Sequence, residues 1–224
     1  MSATKSKAVC LVSGGMDSAV TLAIALGEYD VYALHVMYGQ RTQERELQSF
    51  RDLIAYYGIE NSMIISMDYL ERIGASALTD KSIEVPSKES PMGVIPITYV
   101  PFRNAQLLSV AVAWAEAIGA SKVFIGAVEE DSSGYPDCRE VFFKAFNLAV
   151  KEGTRPESKI EIVTPVLHMK KSEIVKKGIE LKVPFELTWS CYKNSDKPCG
   201  ECESCVLRLR AFKDAGFDDP IENP

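Results

Sequence analysis

Apolar runs alternate with stretches of helical periodicity along most of the chain. Five runs have the length of buried strands; they lie at 8–12, 31–38, 63–67, 122–126 and 160–163. Five stretches with a helical pattern follow them in turn, at 19–26, 43–57, 103–118, 140–151 and 171–181. This order predicts an α/β fold with a doubly wound parallel sheet and helices on both faces.

Some segments add detail to this pattern. The predicted helix at 103–118 carries almost no charge, which indicates that it is buried. The stretch 70–100 has weak periodicity and several turn residues, and we expect a long loop near the site. Ligands bind beyond the carboxyl ends of parallel strands, where Ser13, Gly39 and Gly126 are predicted to lie.

A segment of small residues joins the first strand to the first helix, and it reads Ser13-Gly14-Gly15-Met16-Asp17-Ser18. Glycine permits backbone angles and close approaches that a side chain would block. The free N–H groups of such a turn and of the helix start converge on one place, where an anion can bind. Asp17 can cap the helix or help to organise a magnesium ion. Because no lysine follows the glycines, this is not a Walker-type loop.

The composition is acidic, with a net charge of −6 and a pI near 5.1. This balance argues against a large non-specific nucleic-acid footprint, which needs a basic face. No apolar run reaches the length of a membrane span, and the polar first residues do not resemble a secretory signal. We expect a single domain over 1–224, with no nucleic-acid or membrane partner, in the cytoplasm.

Four cysteines are clustered late in the sequence with the spacing C-x7-C-x2-C-x2-C: Cys191, Cys199, Cys202 and Cys205. Four thiolates satisfy tetrahedral Zn²⁺ with no open position, which predicts one structural zinc ion per chain. An iron–sulfur cluster is the alternative, and zinc is favoured because the fourth ligand is local. Charges of both signs surround the cysteines, so we interpret 186–224 as a structural clip packed on the core rather than a nucleic-acid-binding knuckle.

The segment Ser13–Ser18 resembles the SGGxDS loop of the PP-loop ATP pyrophosphatases. The resemblance implies a Rossmann-like core of the adenine nucleotide alpha hydrolase type, here 8–185. Such a core binds ATP with Mg²⁺ and attacks its α-phosphate, which makes an adenylate and releases pyrophosphate. The residues implied to bind ATP are Val12, Ser13, Gly14, Gly15, Met16, Asp17 and Ser18.

Further segments extend the resemblance over nearly the whole chain. Together with the loop and the four cysteines, Tyr99–Asn104 (YVPFRN) and Ser133–Arg139 (SGYPDCR) resemble the 7-cyano-7-deazaguanine synthase family. This implies a C–N bond-forming ligase that converts 7-carboxy-7-deazaguanine, ATP and ammonia to 7-cyano-7-deazaguanine (preQ0), a precursor of queuosine and archaeosine. Adenylated carboxylate and amide intermediates, and a homodimer, are implied as well.

Three residues are predicted to be catalytic: Asp17, Lys171 and Arg103. Lys171 opens the helix after the fifth strand, and related adenylating enzymes have a lysine at this place. We expect it to supply the cation beside the phosphates, with Lys170 as the neighbouring alternative. Arg103 could contact phosphate or the substrate carboxylate, or form an ordinary surface ion pair.

The deazaguanine base presents N–H donors, for which Asp131 and Asp137 are the predicted acceptors. Tyr135 and Phe102 could stack on its ring. Phe102 stands where the family usually has glycine, and a bulky residue does not easily adopt a positive φ. Either the turn differs here, or Phe102 lines the base pocket.

Two other functions remain open from the residues. One is a tRNA-modifying, thiolase-like enzyme with the same ATP loop, which would use catalytic cysteines and a basic surface. The other is a non-catalytic zinc- and nucleotide-binding module, against which the intact loop and Lys171 weigh. His35 and Cys10 lie on apolar strands, and we interpret both as core residues.

Overall fold

The structure, a computed structural model, describes residues 5–87, 94–129 and 134–221. Within them five strands form one parallel sheet: β1 (Lys7–Leu11), β2 (Asp30–Met37), β3 (Ser62–Ser66), β4 (Lys122–Phe124) and β5 (Glu161–Val163). The order across the sheet is β3-β2-β1-β4-β5. The predicted doubly wound parallel fold is confirmed, and the strand bounds differ from the predicted ones by a residue or two.

Seven α-helices lie in the described residues: α1 (Met16–Glu28), α2 (Gln43–Tyr57), α3 (Tyr69–Ile73), α4 (Arg103–Ile118), α5 (Glu140–Gly153), α6 (Lys171–Glu180) and α7 (Glu203–Ala215). Two short 3-10 turns cover Pro136–Cys138 and Phe185–Leu187. The helical periodicity does not predict α3 and α7, and α1 begins earlier than expected because the binding loop runs directly into it. None of these helices is long and apolar enough to cross a bilayer.

Both faces of the sheet are covered. Along β1, Val9 and Leu11 belong to the core cluster on the α4 side, whereas Ala8 and Cys10 belong to the cluster on the α1 side. His35 on β2 is 1% exposed, as predicted for a core residue. A strand buried on both sides is apolar throughout rather than alternating, which explains the continuous apolar runs of the sequence.

The strand order reverses at β1, which pairs with β2 on one side and with β4 on the other. The helix after β1 and the helix before β4 lie on opposite faces of the sheet. They diverge at the carboxyl end of β1 and leave a crevice there, which is the usual ligand site of an open parallel sheet.

The long loop predicted within 70–100 is partly held by Arg41. Its guanidinium donates to the backbone carbonyls of Ala77 (2.7 Å), Asp80 (3.0 Å) and Ile83 (2.5 Å). Three bonds to one side chain tie this segment to the residues after β2, beside the crevice.

The C-terminal segment is anchored by a buried ion pair. Arg208 on α7 donates to both carboxylate oxygens of Asp219 over 2.7 and 2.9 Å, and both side chains are at most 3% exposed. The same guanidinium donates to Thr188 Oγ1 at 2.7 Å. Because α7 also packs against α6, the segment is fixed to the core.

Candidate active site

The loop after β1 is packed closely between its neighbours. Gly14 has φ of +90°, and a Cβ built there would lie 2.7 Å from the backbone oxygen of Glu46. On the other side, a Cβ on Gly126 would lie 2.9 Å from the backbone of Asp17. Glycine is therefore required at both positions, one for its conformation and one for the close approach.

Two serines fix the shape of the loop. Ser13 Oγ accepts a hydrogen bond from the Gly15 N–H (3.2 Å) and donates to Ser18 Oγ (3.0 Å). Ser18 Oγ in turn donates to the Gly15 carbonyl (2.9 Å). The N–H groups of the first turn of α1, which have no intrahelical acceptor, remain available beside the loop for an anion.

Asp17 and Lys171 meet beside this loop although they are far apart in the sequence. Lys171 opens α6, and its ammonium donates to Asp17 Oδ2. The other oxygen, Oδ1, is buried without a hydrogen-bond partner among the described residues. A carboxylate oxygen of this kind next to an anion site is suited to a hard cation such as Mg²⁺.

A cavity of about 290 Å³ opens at the carboxyl ends of the strands. Loop residues, the start of α4 and the C-terminal segment all contribute to its walls. The polar and charged lining includes Ser13, Asp17, Ser18, Tyr38, Gln40, Arg41, Thr42, Glu46, Arg103, Asn104, Tyr135, Lys171, Ser190, Tyr192, Ser204 and Arg208. All three predicted catalytic residues line the cavity, as do all the predicted ATP-binding residues except Gly14.

Arg103, at the first position of α4, faces this cavity from the side opposite the loop. Its Nη1 donates to the Tyr38 hydroxyl over 2.9 Å, and the guanidinium lies 5.3 Å from the centre of the same ring. Its Nε is buried without a hydrogen-bond partner among the described residues. An anion on a ligand would complete its hydrogen bonding. Burial raises the pKa of Tyr38 to about 12, which keeps its hydroxyl neutral.

A carboxylate that the sequence reasoning missed also lines the cavity. Glu46, near the start of α2, accepts from Gln40 Nε2 (3.0 Å) and from the Thr42 hydroxyl (2.9 Å). Burial raises the pKa of Glu46, while the two hydrogen bonds and the charge of Arg103 oppose this rise. A helical glutamate in a polar stretch gives no sequence signal, so only the packing of α2 on the loop reveals it.

Among the residues predicted to bind the base, Tyr135 lines the cavity and donates to Thr98 Oγ1 at 2.9 Å. Asp137 is not among the described cavity residues. Its Oδ2 accepts from the backbone N–H of Asn104 at 2.8 Å, so it caps the start of α4. Its other oxygen, Oδ1, is buried without a hydrogen-bond partner among the described residues, so the role of Asp137 as an acceptor for the base stays a prediction. Asp131 lies outside the described residues.

Phe102 is not among the described residues that line the cavity, and its stacking on the substrate ring stays a prediction. Its side chain is 60% exposed and packs edge to face against Phe142, with ring centroids 6.3 Å apart. The backbone of Phe102 has φ of 56° and ψ of 27°, which is left-handed. The bulky residue therefore accepts the backbone conformation that glycine adopts freely.

The four late cysteines come together. Their sulfur atoms all lie within 4.8 Å of one another, and Cys199 Sγ is 3.9 Å from Cys205 Sγ. Backbone N–H groups point at the sulfurs, for example from Asn194 and Cys199 to Cys191 Sγ at 3.3 and 3.4 Å. Tetrahedral coordination at a bond length of about 2.3 Å puts sulfurs about 3.8 Å apart. The cluster therefore fits a single metal ion.

The cysteine cluster is joined to the cavity through the residues around it. Ser190 and Tyr192, on either side of Cys191, line the cavity wall. Thr42 Oγ1 lies 3.2 Å from the Cys191 carbonyl oxygen, and the Trp189 N–H donates to the carbonyl of Gly14 (2.9 Å). A metal bound by the cysteines would therefore hold one wall of the cavity in place.

With this geometry in place, the comparison with known proteins decides the family. The family model of the queuosine biosynthesis protein QueC matches residues 7–216. The chain belongs to the QueC family. All the helices and strands described above lie in the matched range, as do the loop and the four cysteines.

Curated relatives of this QueC family member agree in name and in length. The 7-cyano-7-deazaguanine synthase of Chlorobium chlorochromatii is 57% identical, with 96% of this chain and 95% of the relative covered. The enzyme of the same name from Chloroherpeton thalassium is 58% identical, with 96% of each chain covered. The similarity therefore extends over nearly the full length of both partners.

Solved structures show more distant likenesses. The NMN synthetase of Francisella tularensis aligns over 96% of this chain and 79% of its own, with 18% identity and a TM-score of 0.48. The NH3-dependent NAD synthetase of Campylobacter jejuni aligns over 83% and 68%, with 15% identity and a TM-score of 0.47. Likenesses at this level carry no conclusion about activity.

Proposed function

We propose that this chain converts 7-carboxy-7-deazaguanine and ammonia to 7-cyano-7-deazaguanine at the expense of ATP, as a ligase that forms C–N bonds. Relatives more than half identical over nearly the whole chain carry the name of that synthase. The observation that carries the proposal is the cavity, which is lined by the loop after β1, by the Asp17–Lys171 pair and by Arg103.

The first activation makes the carboxylate reactive. A substrate carboxylate oxygen attacks the α-phosphorus of ATP, the bond to the bridging oxygen breaks, and pyrophosphate leaves. The loop N–H groups and Lys171 stabilise negative charge on the phosphate oxygens, and Arg103 is placed to orient the carboxylate. Ammonia then adds to the acyl carbon, the bond to the adenylate oxygen breaks, and AMP and a proton are released with the amide.

The second activation removes the remaining oxygen. The amide oxygen attacks the α-phosphorus of a second ATP and releases another pyrophosphate. Loss of AMP with that oxygen, together with the amide protons, leaves the nitrile. The same residues serve both halves, because each half places an oxygen of the same carbon against the same α-phosphate.

We assign Mg²⁺ to the phosphate site and Zn²⁺ to the four cysteines. Asp17, with its free buried oxygen, is the residue that would hold the magnesium ion, which would neutralise phosphate charge. Cys191, Cys199, Cys202 and Cys205 would hold zinc with no open position, so it would act structurally. The sulfur separations favour one ion over an iron–sulfur cluster, whose thiolates bind separate irons.

The thiolase-like alternative is weaker because it needs a reactive cysteine. Cys138 lines the cavity, but burial raises the pKa of its thiol to about 11. A thiol that stays protonated at neutral pH is a poor nucleophile. We therefore propose small-molecule substrates rather than tRNA, and a cytoplasmic location, where ATP is available.

We also propose that the chain forms a homodimer through an exposed apolar face on α5. Val141 and Leu148 lie two turns apart on one side of this helix and are 63 and 65% exposed, and Phe102 lies nearby against Phe142. In sedimentation measurements, Leu148→Lys should shift the protein toward monomer. Ile73→Lys, at a residue 60% exposed on α3, is the matched control and should not.

The reaction is tested by mass spectrometry of metal-loaded protein incubated with 7-carboxy-7-deazaguanine, ATP, Mg²⁺ and ammonium. We expect the nitrile, AMP and pyrophosphate. Accumulation of the amide alone would restrict the proposal to its first half. Intact ATP with no product would show that the assigned substrate is wrong.

A further inference from the structure

Glu46 is the second of two acidic side chains among the described cavity residues. The first, Asp17, pairs with Lys171 beside the loop. Glu46 has no such cation, since its two oxygens are met by neutral groups, the amide of Gln40 and the hydroxyl of Thr42. Each oxygen accepts one hydrogen bond from these groups and has a further acceptor site for a ligand in the cavity.

The orientation of the Gln40 amide fixes what Glu46 does. The backbone N–H of Tyr38 donates to Gln40 Oε1 at 2.8 Å, so that atom is the amide oxygen. Gln40 Nε2 must then face Glu46 and donate to its Oε2 at 3.0 Å. A group that receives N–H donors from the protein acts as an acceptor, and each carboxylate oxygen has a second lone pair for a ligand.

A carboxylate with one free acceptor site on each oxygen matches two adjacent donors. The Watson–Crick edge of a 2-amino-4-oxopyrimidine ring offers them, as its ring N–H and its exocyclic amine. An adenine edge offers one donor and one acceptor, so it would leave a lone pair facing the carboxylate. The geometry therefore favours a guanine-type base over the adenine of ATP.

We propose that Glu46 is the specificity residue that binds the ring N–H and the 2-amino group of the deazaguanine substrate. This inference rests on the proposed function, because it assigns that substrate to the cavity. Arg103 faces the same cavity with the opposite charge and an unused buried Nε. A substrate with donors at one end and a carboxylate at the other would thus be held in one orientation.

The test is equilibrium binding of 7-carboxy-7-deazaguanine and, separately, of ATP to Glu46→Gln. Replacing one carboxylate oxygen by an amide nitrogen, which donates instead of accepting, should weaken binding of the base about 10- to 100-fold. ATP binding should change less than about threefold, which also shows that the variant is folded. Glu46→Asp, which keeps the charge on a shorter side chain, should give an intermediate loss. Glu44→Gln, at an exposed position on the same helix, is the matched control.

A substrate analogue provides a second test of the role of Glu46. 7-Carboxy-7-deazahypoxanthine lacks the 2-amino group, and wild-type protein should bind it at least about 10-fold more weakly than the parent. Glu46→Gln should discriminate between the two by less than about threefold, because the partner of the amine is gone. A merely structural residue would not remove this discrimination.

Two results overturn the inference while leaving the proposed function intact. In both, wild-type protein makes the nitrile. In the first, Glu46→Gln binds the base with unchanged affinity. In the second, Glu46→Gln binds ATP more weakly but binds the base normally. In the second case Glu46 belongs to the nucleotide. If wild-type protein neither binds nor converts 7-carboxy-7-deazaguanine, the proposed function fails, and this assignment fails with it.

Discussion

The backbone N–H of Trp189 donates to the carbonyl of Gly14 over 2.9 Å and joins the cysteine segment to the binding loop. The Trp189 ring also stacks under the guanidinium of Arg45, 4.6 Å from the ring centre. The loop is thus positioned by residues next to Cys191 as well as by the sheet. Substitution of the cysteines should therefore weaken the binding of ATP that we propose for this loop.

Removal of the metal from the four cysteines should lower activity although the metal would not contact the reacting atoms. With the cysteines unbound, the Trp189 segment loses its support, and a displacement of about 1 Å in such a wall can cost about 100-fold in turnover. We expect Cys199→Ser, or treatment with a chelator, to reduce both turnover and thermal stability. Return of both when Zn²⁺ is added to chelated protein is the control, and full activity of metal-free protein would contradict the coupling.

Loss of the Lys171 ammonium should act on the chemical step. Lys171→Met removes an ammonium that lines the cavity beside the loop and that we propose to stabilise phosphate charge, so it should lower kcat about 100- to 1000-fold. Lys170→Met, at the exposed neighbouring position, should change kcat by less than about threefold. Steady-state measurement of pyrophosphate release compares the two. Equal losses in both variants would show that helix stability, not phosphate charge, is responsible.

Phe102 should destabilise the protein through its backbone. Its left-handed conformation costs a residue with a Cβ about 1 kcal/mol relative to glycine. We expect Phe102→Gly to raise the free energy of unfolding in urea by up to about that amount. Phe102→Ala removes the same ring but keeps the Cβ, so it should bring no such gain. Equal stability of the two variants would mean that the conformation carries no strain.

His35 should make the stability depend on pH. Its Nδ1 lies 2.8 Å from the carbonyl of Val12, and burial lowers its pKa below the ordinary value of 6.5. The unfolded chain binds a proton below pH 6.5 while the folded protein does not. This contribution to stability is therefore present above pH 6.5 and is lost as the pH falls toward the folded pKa, by up to about 1.4 kcal/mol per pH unit.

Urea unfolding of wild-type protein and His35→Gln between pH 5 and pH 8 checks this expectation, where the range is chosen to bracket a pKa of about 6.5. Glutamine can donate to Val12 without titrating, so the stability difference between the two proteins should shrink or reverse toward low pH. Parallel curves would show that His35 does not titrate in this range.

Much of the fold follows from the sequence because the sheet is parallel and covered on both faces. The central strand β1 is then one apolar run, 8–12, and the loop after it is recognisable from its glycines. Helix α7 is less visible. Cys202 and Cys205 suit a metal knuckle, yet Cys202 precedes the first turn of α7 and Cys205 lies within it. Cys202 and Cys205 thus belong both to the cysteine cluster and to the start of α7, and their spacing indicates a metal site rather than a helix.

Site residues are predictable from the sequence only where a residue of suitable chemistry stands in a recognisable motif or at the start of a predicted helix. Lys171 opens the helix after the fifth strand and Arg103 lies in the YVPFRN segment, so both are predicted from the sequence, and the structure brings both to the cavity. Glu46 is not predicted, since the packing of α2 on Gly14 brings it to the cavity and no spacing in the sequence records that contact. For Asp137, the sequence does not indicate that the Asn104 N–H donates to its Oδ2, because the contact joins two distant segments.

The bond between Trp189 and Gly14 also bears on how the protein is made. One partner follows the central strand of the sheet and is synthesised early, whereas the other comes from near the opposite end of the chain. Closing such a distant contact is slow compared with local folding. During synthesis the chain can therefore build most of its sheet well before Trp189 is available to position the loop, so chains that end before Trp189 should release no pyrophosphate from ATP.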